Sequence, residues 1–310
     1  MSYISANLTQ QQPLISIVIP AYNRWEFLQQ AVASVIAQTY TNWELVIVDD
    51  GSTDGTKEGI GALHDKRIQV FSLPHSGNIA ALRNAGVMVG CGEWVSFLDS
   101  DDVWVPEKLE LQLQSLQQNG RSWSYGGSEL MDEKGQTIPF KTGNHLPLSG
   151  WITEELLINK VSAPIGSLML KRELFEELGG FDSNPELLFR EDYELVLRLS
   201  LKAEAAALPI LLVRVREHSG RSTNAIDDGF KRTAFLYEHF AKLCPHRKLK
   251  KIARRRHAYH ITEMAIKSIG QKKYWQAFLQ LGKACWKGDK LRHVFSAFRR
   301  SMSTKKTSDR

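Results

Sequence analysis

The chain has 310 residues, 43% of them hydrophobic, and a formal net charge of +6. That is ample for one large domain, or one domain with an appendage. Cys91, Cys244 and Cys285 are odd in number and far apart, which excludes a CxxC zinc site and a disulfide framework and points to a reducing compartment.

Residues 1–13 read as a polar tail. With neither a basic n-region nor an apolar h-region there, no signal peptide is expected. No run in the chain approaches the roughly 18 apolar residues that span a bilayer. Residues 15–19 are an apolar run closed by Pro20 and predict a buried strand. Phe27, Leu28, Ala31, Val32, Val35 and Ile36 then follow helical spacing. Residues 45–48 predict a second buried strand, ending at Asp49-Asp50. Gly51-Ser52-Thr53-Asp54-Gly55 is turn chemistry, with Ser, Thr or Asp available to cap the next helix. Residues 68–71 predict a third strand, 80–89 a helix and 94–98 a fourth strand. This alternation implies an α/β fold, a mostly parallel sheet flanked by helices and joined by right-handed crossovers. Ligands of such sheets lie beyond the carboxyl ends of the strands, where Asn23, Asp50 and Asp99 all stand.

The fourth strand runs into Asp99-Ser100-Asp101-Asp102. Three carboxylates in four residues after an apolar run are costly unless a cation neutralises them. Oxygen ligands of this kind suit Mg2+ or Mn2+. The alternative is a solvated acidic turn capping the helix near Pro106.

Residues 121–165 are less regular and rich in Gly, Ser and Trp. Residues 161–170 predict a return to strand, and 174–178 a short helix ended by Gly179-Gly180. Glu191-Asp192 opens a helix with Leu195, Val196 and Leu199 inward. Residues 208–215 are strand-like and followed by His218. Beyond residue 226 the pattern is purely helical. Ile226, Phe230, Tyr237 and Phe240 share one face, as do Ala258, Ile261, Ala265 and Ile269. Residues 226–310 carry 22 Lys and Arg against 6 Asp and Glu, a balance of +16, while the preceding 225 carry 18 against 28, a balance of −10. The split marks two regions, 14–225 and 226–310. A basic tail suits anionic lipid, a polyanionic partner or nucleic acid.

Several motifs in order resemble family 2 glycosyltransferases of the inverting GT-A fold. They are Ser16-Ile17-Val18-Ile19-Pro20-Ala21-Tyr22-Asn23-Arg24, Val48-Asp49-Asp50-Gly51-Ser52, Gly77-Asn78 with Arg83-Asn84, Leu98-Asp99-Ser100-Asp101-Asp102, Gly179-Gly180-Phe181-Asp182 and Glu191-Asp192-Tyr193. The resemblance covers roughly residues 14–220 and implies a nucleotide-binding catalytic domain with a basic helical extension. It implies nucleotide-sugar contacts at Pro20, Tyr22, Asn23, Asp50, Asn78, Arg83, Asp99 and Ser100. Tyr22 would lie against the base, where stacking contributes about 1–3 kcal/mol. Asp50 would accept from the base, which favours uracil N3–H. A core role for Tyr22, a helix cap for Asp50 and a surface ion pair for Arg83 are the bland alternatives.

The same resemblance implies a metal, Mn2+ or Mg2+, at Asp101, with Asp102 and His218 as further contacts and Arg221 near the diphosphate. Asp192 matches the catalytic base, and Glu191 a residue that positions the acceptor or a neighbouring loop. The partners implied are a nucleotide-sugar donor, a UDP-sugar by preference, and a glycan or lipid-linked acceptor in polysaccharide assembly. Gln271-Lys272-Lys273-Tyr274-Trp275 misses the processive Q-x-x-R-W motif at its arginine, so transfer of single sugars is expected. Leu291, Val294, Phe295 and Phe298 form an apolar stripe among cations, so residues 291–306 suit an anionic membrane surface on the cytoplasmic side. No nucleic-acid module is recognised. A degenerate fold acting through its basic tail is the competing reading, and the intact Asp50, Asp101 and Asp192 argue against it.

Overall fold

The computed structural model describes residues 12–139, 146–220 and 229–271, with positions 275, 277, 279, 280 and 282. β1 (Ile15–Ala21), α1 (Trp25–Ile36), β2 (Trp43–Asp49), α2 (Thr56–Gly61), β3 (Ile68–Ser72), α3 (Ile79–Val89) and β4 (Trp94–Phe97) alternate along the chain. The strands pair in parallel in the order β3-β2-β1-β4. β1 and β2 are buried along their whole length. Ile15, Ile17 and Ile19 pack with Leu28, Val32 and Val35 of α1 on one face; Val18, Val46 and Val48 join the core on the other. Helices cover both faces, so these strands read as unbroken apolar runs rather than alternating ones. Pro20 lies within β1 instead of closing it. The ladder toward β4 ends at Val18 and Phe97, so the proline falls where β1 is paired on one side.

The chain continues through β5 (Val103–Trp104), α4 (Lys108–Asn119), β6 (Trp123–Met131), β7 (Thr137–Ile138), α5 (Thr153–Leu157), β8 (Met169–Lys171), α6 (Arg172–Glu177), α7 (Glu191–Lys202) and β9 (Ala206–Arg216). These extend the sheet as β4-β8-β6-β9-β5, with β7 paired to β6. β8 is antiparallel to both β4 and β6, β9 is parallel to β6, and β5 is antiparallel to β9. The expected parallel arrangement therefore holds through β4, and the sheet is mixed beyond it. The strand expected over 161–170 shrinks to β8, because Pro164 leads into a 3-10 turn at Ile165–Ser167.

α8 (Gly229–Leu243) and α9 (Arg247–Gly270) pack together after the sheet. Tyr237 and Phe240 are buried as expected, but Phe230 is exposed and leaves the proposed stripe; Ile226 lies outside the described residues. Ala258 and Ala265 are buried and Ile261 and Ile269 half-buried. Among the described residues no helix is long and apolar enough to cross a membrane. Arg221 and the 291–306 stripe lie outside the described residues.

Candidate active site

A cavity of about 380 Å3 opens over the carboxyl ends of β1, β2 and β4. Pro20, Tyr22, Arg24, Asp50, Arg83, Asp99, Ser100, Asp101, Asp102, Glu191 and Asp192 all line it. Residues spread over most of the catalytic region thus meet at one point, as strand ends in an open α/β sheet require.

Asp50 follows β2 and is almost fully buried. Its Oδ1 accepts from the Ser76 backbone N–H at 2.8 Å and the Ser76 hydroxyl at 3.0 Å. Its Oδ2 accepts from the Gly77 N–H at 2.9 Å and lies 2.9 Å from His75 Nδ1. Three hydrogen bonds therefore hold the carboxylate, with His75 Nδ1 also 3.0 Å from the Asp50 backbone carbonyl, which goes beyond a helix cap. Tyr22 is 41% exposed and stacks on His75 with ring centroids 4.0 Å apart, so it is no core tyrosine. His75, unforeseen in the sequence, joins these two residues. Its only signal there was position, just past the end of β3.

Asn23 and Asn78 stand outside the cavity lining and fasten its loops. Asn23 has a positive φ of 48°, which asparagine tolerates better than most residues. Its Oδ1 accepts from the Thr53 N–H at 2.7 Å, joining the turn after β1 to the turn after β2. Asn78 caps α3, accepting from the Ala81 N–H at 3.2 Å and donating to the Ser183 carbonyl at 3.0 Å.

Arg83 is only 2% exposed, which rules out a surface ion pair. Its Nη1 donates to Glu191 Oε1 at 2.8 Å and its Nη2 to Asp99 Oδ1 at 2.6 Å. Burial alone would weaken its hold on the proton, and Asp99 and Glu191 reverse that. Burial pushes Asp99 up from the usual carboxylate range, against the pull of Arg83. Burial also drives Glu191 up to about 7, with the Asp192 charge adding and Arg83 opposing. Glu191 Oε2 is buried with no hydrogen-bond partner, so nothing at that oxygen offsets the burial. Asp192 begins α7, where the helix dipole favours negative charge, and accepts from the Tyr193 N–H at 2.7 Å.

Asp101 and His218 lie 117 residues apart in sequence, yet Oδ2 and Nε2 are 2.9 Å apart. Asp102 is buried and turns an oxygen to the Arg216 N–H at 2.9 Å, at the end of β9. Among the described residues no three His, Cys, Asp or Glu side chains converge as a ready metal cage. A carboxylate oxygen and an imidazole nitrogen side by side still suit Mg2+ or Mn2+, which bind through one or two protein groups and complete their shell with substrate phosphates. The donor set fits such an ion. Arg24 also reaches this pair; nothing singled it out in sequence beyond the need of the acidic cluster for a cation.

Residues 16–179, which carry the strand-end acids Asp50, Asp99 and Asp101, match the model described as glycosyl transferase family 2. The chain belongs to glycosyltransferase family 2. This makes it a transferase, with Glu191, Asp192 and His218 standing beyond the matched segment. A relative named for teichuronic acid biosynthesis, the glycosyltransferase TuaG of Bacillus subtilis, is 30% identical over 76% of this chain and 92% of its own length. The glucosyltransferase WfgD of Escherichia coli, named as acting from UDP-Glc on α-D-GlcNAc-diphosphoundecaprenol, is 36% identical over 38% of this chain and 47% of its own. Residues 1–349 of TarS from S. aureus, solved with UDP-GlcNAc, superpose with a TM-score of 0.67 at 16% identity, over 87% of this chain and 79% of that one. The mannosyltransferase PcManGT of Pyrobaculum calidifontis, solved with GDP-Man and Mn2+, gives a TM-score of 0.56 at 17% identity, over 95% and 81%. At such identities these two structures establish the shared GT-A fold.

Proposed function

We propose that this glycosyltransferase is inverting and metal-dependent, and moves a sugar from a nucleotide-diphosphate sugar, a UDP-sugar by preference, to a hydroxyl acceptor in cell-surface glycan assembly. The observation that carries this reading is the single cavity shared by Asp50, Asp101 and Asp192. The exposed ring of Tyr22 offers a face for the base. Asp50 accepts the base N–H once His75, itself half exposed, gives up its place at Oδ2. Asp101 and His218 would hold Mn2+ or Mg2+, with Asp102 behind them, and the ion would offset charge on the departing diphosphate.

Asp192 removes the acceptor hydroxyl proton while that oxygen bonds to the anomeric carbon and the carbon–oxygen bond to the diphosphate breaks. Attack opposite the leaving group inverts the anomeric centre, through an oxocarbenium-like transition state. Glu191, locked to Arg83, sets the start of α7 and so the position of Asp192. Residues 14–225 form the catalytic unit. Residues 226–310 add a basic region that meets a lipid-linked acceptor at the cytoplasmic membrane face. UDP-linked and diphospholipid chemistry in the name of WfgD and the UDP-GlcNAc of TarS support the choice of substrates, and the Mn2+ of PcManGT that of the ion.

Titration calorimetry with UDP in the presence and absence of Mn2+ tests the metal assignment. The wild type should bind UDP more tightly with Mn2+, and Asp101→Ala should lose that gain while keeping its fold. Unchanged metal-dependent affinity in the variant overturns the assignment.

A further inference from the structure

Arg24 stands where a bound cation would. Its Nη1 lies 2.7 Å from Asp101 Oδ2 and 2.8 Å from His218 Nε2, and its Nη2 donates to the Gly220 carbonyl at 2.5 Å. Asp101 Oδ2 and His218 Nε2 are themselves 2.9 Å apart. A guanidinium can only donate. In the tautomer that leaves Nε2 its lone pair, the guanidinium stands before two acceptors at once. Two acceptors this close repel each other unless one positive group stands before both. Arg24 is that group.

The same spacing is that of two ligands on one metal ion. Adjacent corners of an octahedron with bonds of about 2.1 Å lie about 3 Å apart. The side chains are enclosed, at 18% exposure for Arg24 and Asp101 and 4% for His218. The three-point hold on the guanidinium is thus no chance surface contact. The Arg24 backbone is anchored separately, its N–H donating to Thr56 Oγ1 at 3.3 Å at the start of α1. The side chain can swing away while the backbone stays.

We propose that Arg24 is an internal counter-cation. It occupies the Asp101–His218 seat in the ligand-free enzyme, and a divalent ion enters only as the guanidinium leaves. The inference rests on the metal reading of that site. Metal alone must then displace a bound arginine and gains little. A nucleoside diphosphate changes the balance, because its phosphates complete the ion's shell and offer the released guanidinium a bidentate partner. Metal and nucleotide thereby bind with positive coupling, and Arg24 is the element that couples them.

Mn2+ binding to the full chain, followed by loss of the free-ion paramagnetic resonance signal, tests this without turnover. The proteins are wild type, Arg24→Met and Arg24→Gln, each with and without UDP, with thermal melts to confirm folding. A seat blocked about 90–99% of the time weakens apparent affinity by about 10–100-fold. Both variants should therefore bind Mn2+ alone more tightly than wild type by about that factor, and UDP should tighten their Mn2+ binding less than it does in wild type. Adding Asp101→Ala to either variant should abolish the gain. If wild type binds Mn2+ with UDP but the variants bind Mn2+ alone no better than wild type, Arg24 merely props Asp101 and the proposal fails. If no protein binds Mn2+ even with UDP, the metal reading itself is wrong and the proposal falls with it.

Discussion

The two sides of the cavity neutralise their acids by different means. On the β2 side, Asp50 is caged by backbone and hydroxyl donors of the Ser76-Gly77 loop. On the β4 side, Asp99 and Asp101 are held by the guanidinium groups of Arg83 and Arg24. A carboxylate caged by local dipoles is fixed whatever fills the cavity. One paired to an arginine can trade that partner for an ion or for another anion's claim on the arginine. The first arrangement suits recognition of an unchanging base, and the second suits charge that appears during reaction. Asp192 follows neither pattern: it accepts an N–H of its own helix.

The largest break in this comparison comes from that third acid. Asp192→Asn preserves shape but cannot take the proton. Turnover should fall by about 10²–10⁴ with donor affinity nearly unchanged. Steady-state rates together with UDP-sugar binding check it. A variant that keeps more than about a tenth of the wild-type rate excludes Asp192 as the base.

Next in size is the Arg83 fork. Arg83→Met leaves Glu191 and Asp99 buried without their cation, which costs about 3–5 kcal/mol. Removing all three charges, as Arg83→Met with Asp99→Asn and Glu191→Gln, should recover much of that loss, since a neutral replacement of a buried ion pair is often tolerated. Urea unfolding measures both. If the single variant loses less than about 1 kcal/mol, the fork is not what secures the start of α7.

The contrast also separates what the sequence discloses from what it hides. β1, β2 and β4 are buried on both faces and joined by helices, so their apolar runs and the acids after them could be placed from local pattern alone. β6 could not. Its Gly126 and Gly127 sit at register shifts against β9, where a Cβ would come within 2.4 Å of Leu212 and 2.8 Å of the Ile210 carbonyl. Glycine there permits close approach of two strands, but in a sequence it reads as a strand breaker. The same limit applies within the site. The acids announced themselves by clustering, whereas His75 and Arg24 are single residues whose roles exist only once distant loops meet. Asn23 and Asn78 were visible in the motifs, but only the structure shows that they bind neighbouring loops rather than line the cavity.

Asp50→Asn sharpens the comparison with a smaller effect. The amide replaces one acceptor oxygen by a donor, which then confronts N–H groups of the Ser76-Gly77 loop. An unsatisfied buried donor costs about 1–3 kcal/mol. That cost falls on stability, while loss of a carboxylate oxygen that accepts the base N–H should weaken UDP binding about tenfold or more, with Mn2+-dependent coupling retained. Equal UDP affinity in variant and wild type would show that the cage has no part in base recognition.

The smallest effect concerns Glu191 and has a definite sign. Burial raises its folded-state pKa to about 7 from an ordinary value of 4.5. The folded chain therefore binds this proton more tightly than the unfolded chain between those two values. The stabilisation it brings is complete below about pH 4.5 and is lost as pH rises through about 7. Glu191→Gln is neutral throughout and lacks the dependence. Wild-type stability minus that of Glu191→Gln should decline between pH 5 and pH 7 by an amount of the order of 1 kcal/mol, a few degrees in Tm. Taking the difference cancels the other carboxylates, whose protonation both proteins share. A flat difference across that range would mean that Glu191 stays ionised against Arg83, and that its unpartnered Oε2 carries no proton in the folded enzyme.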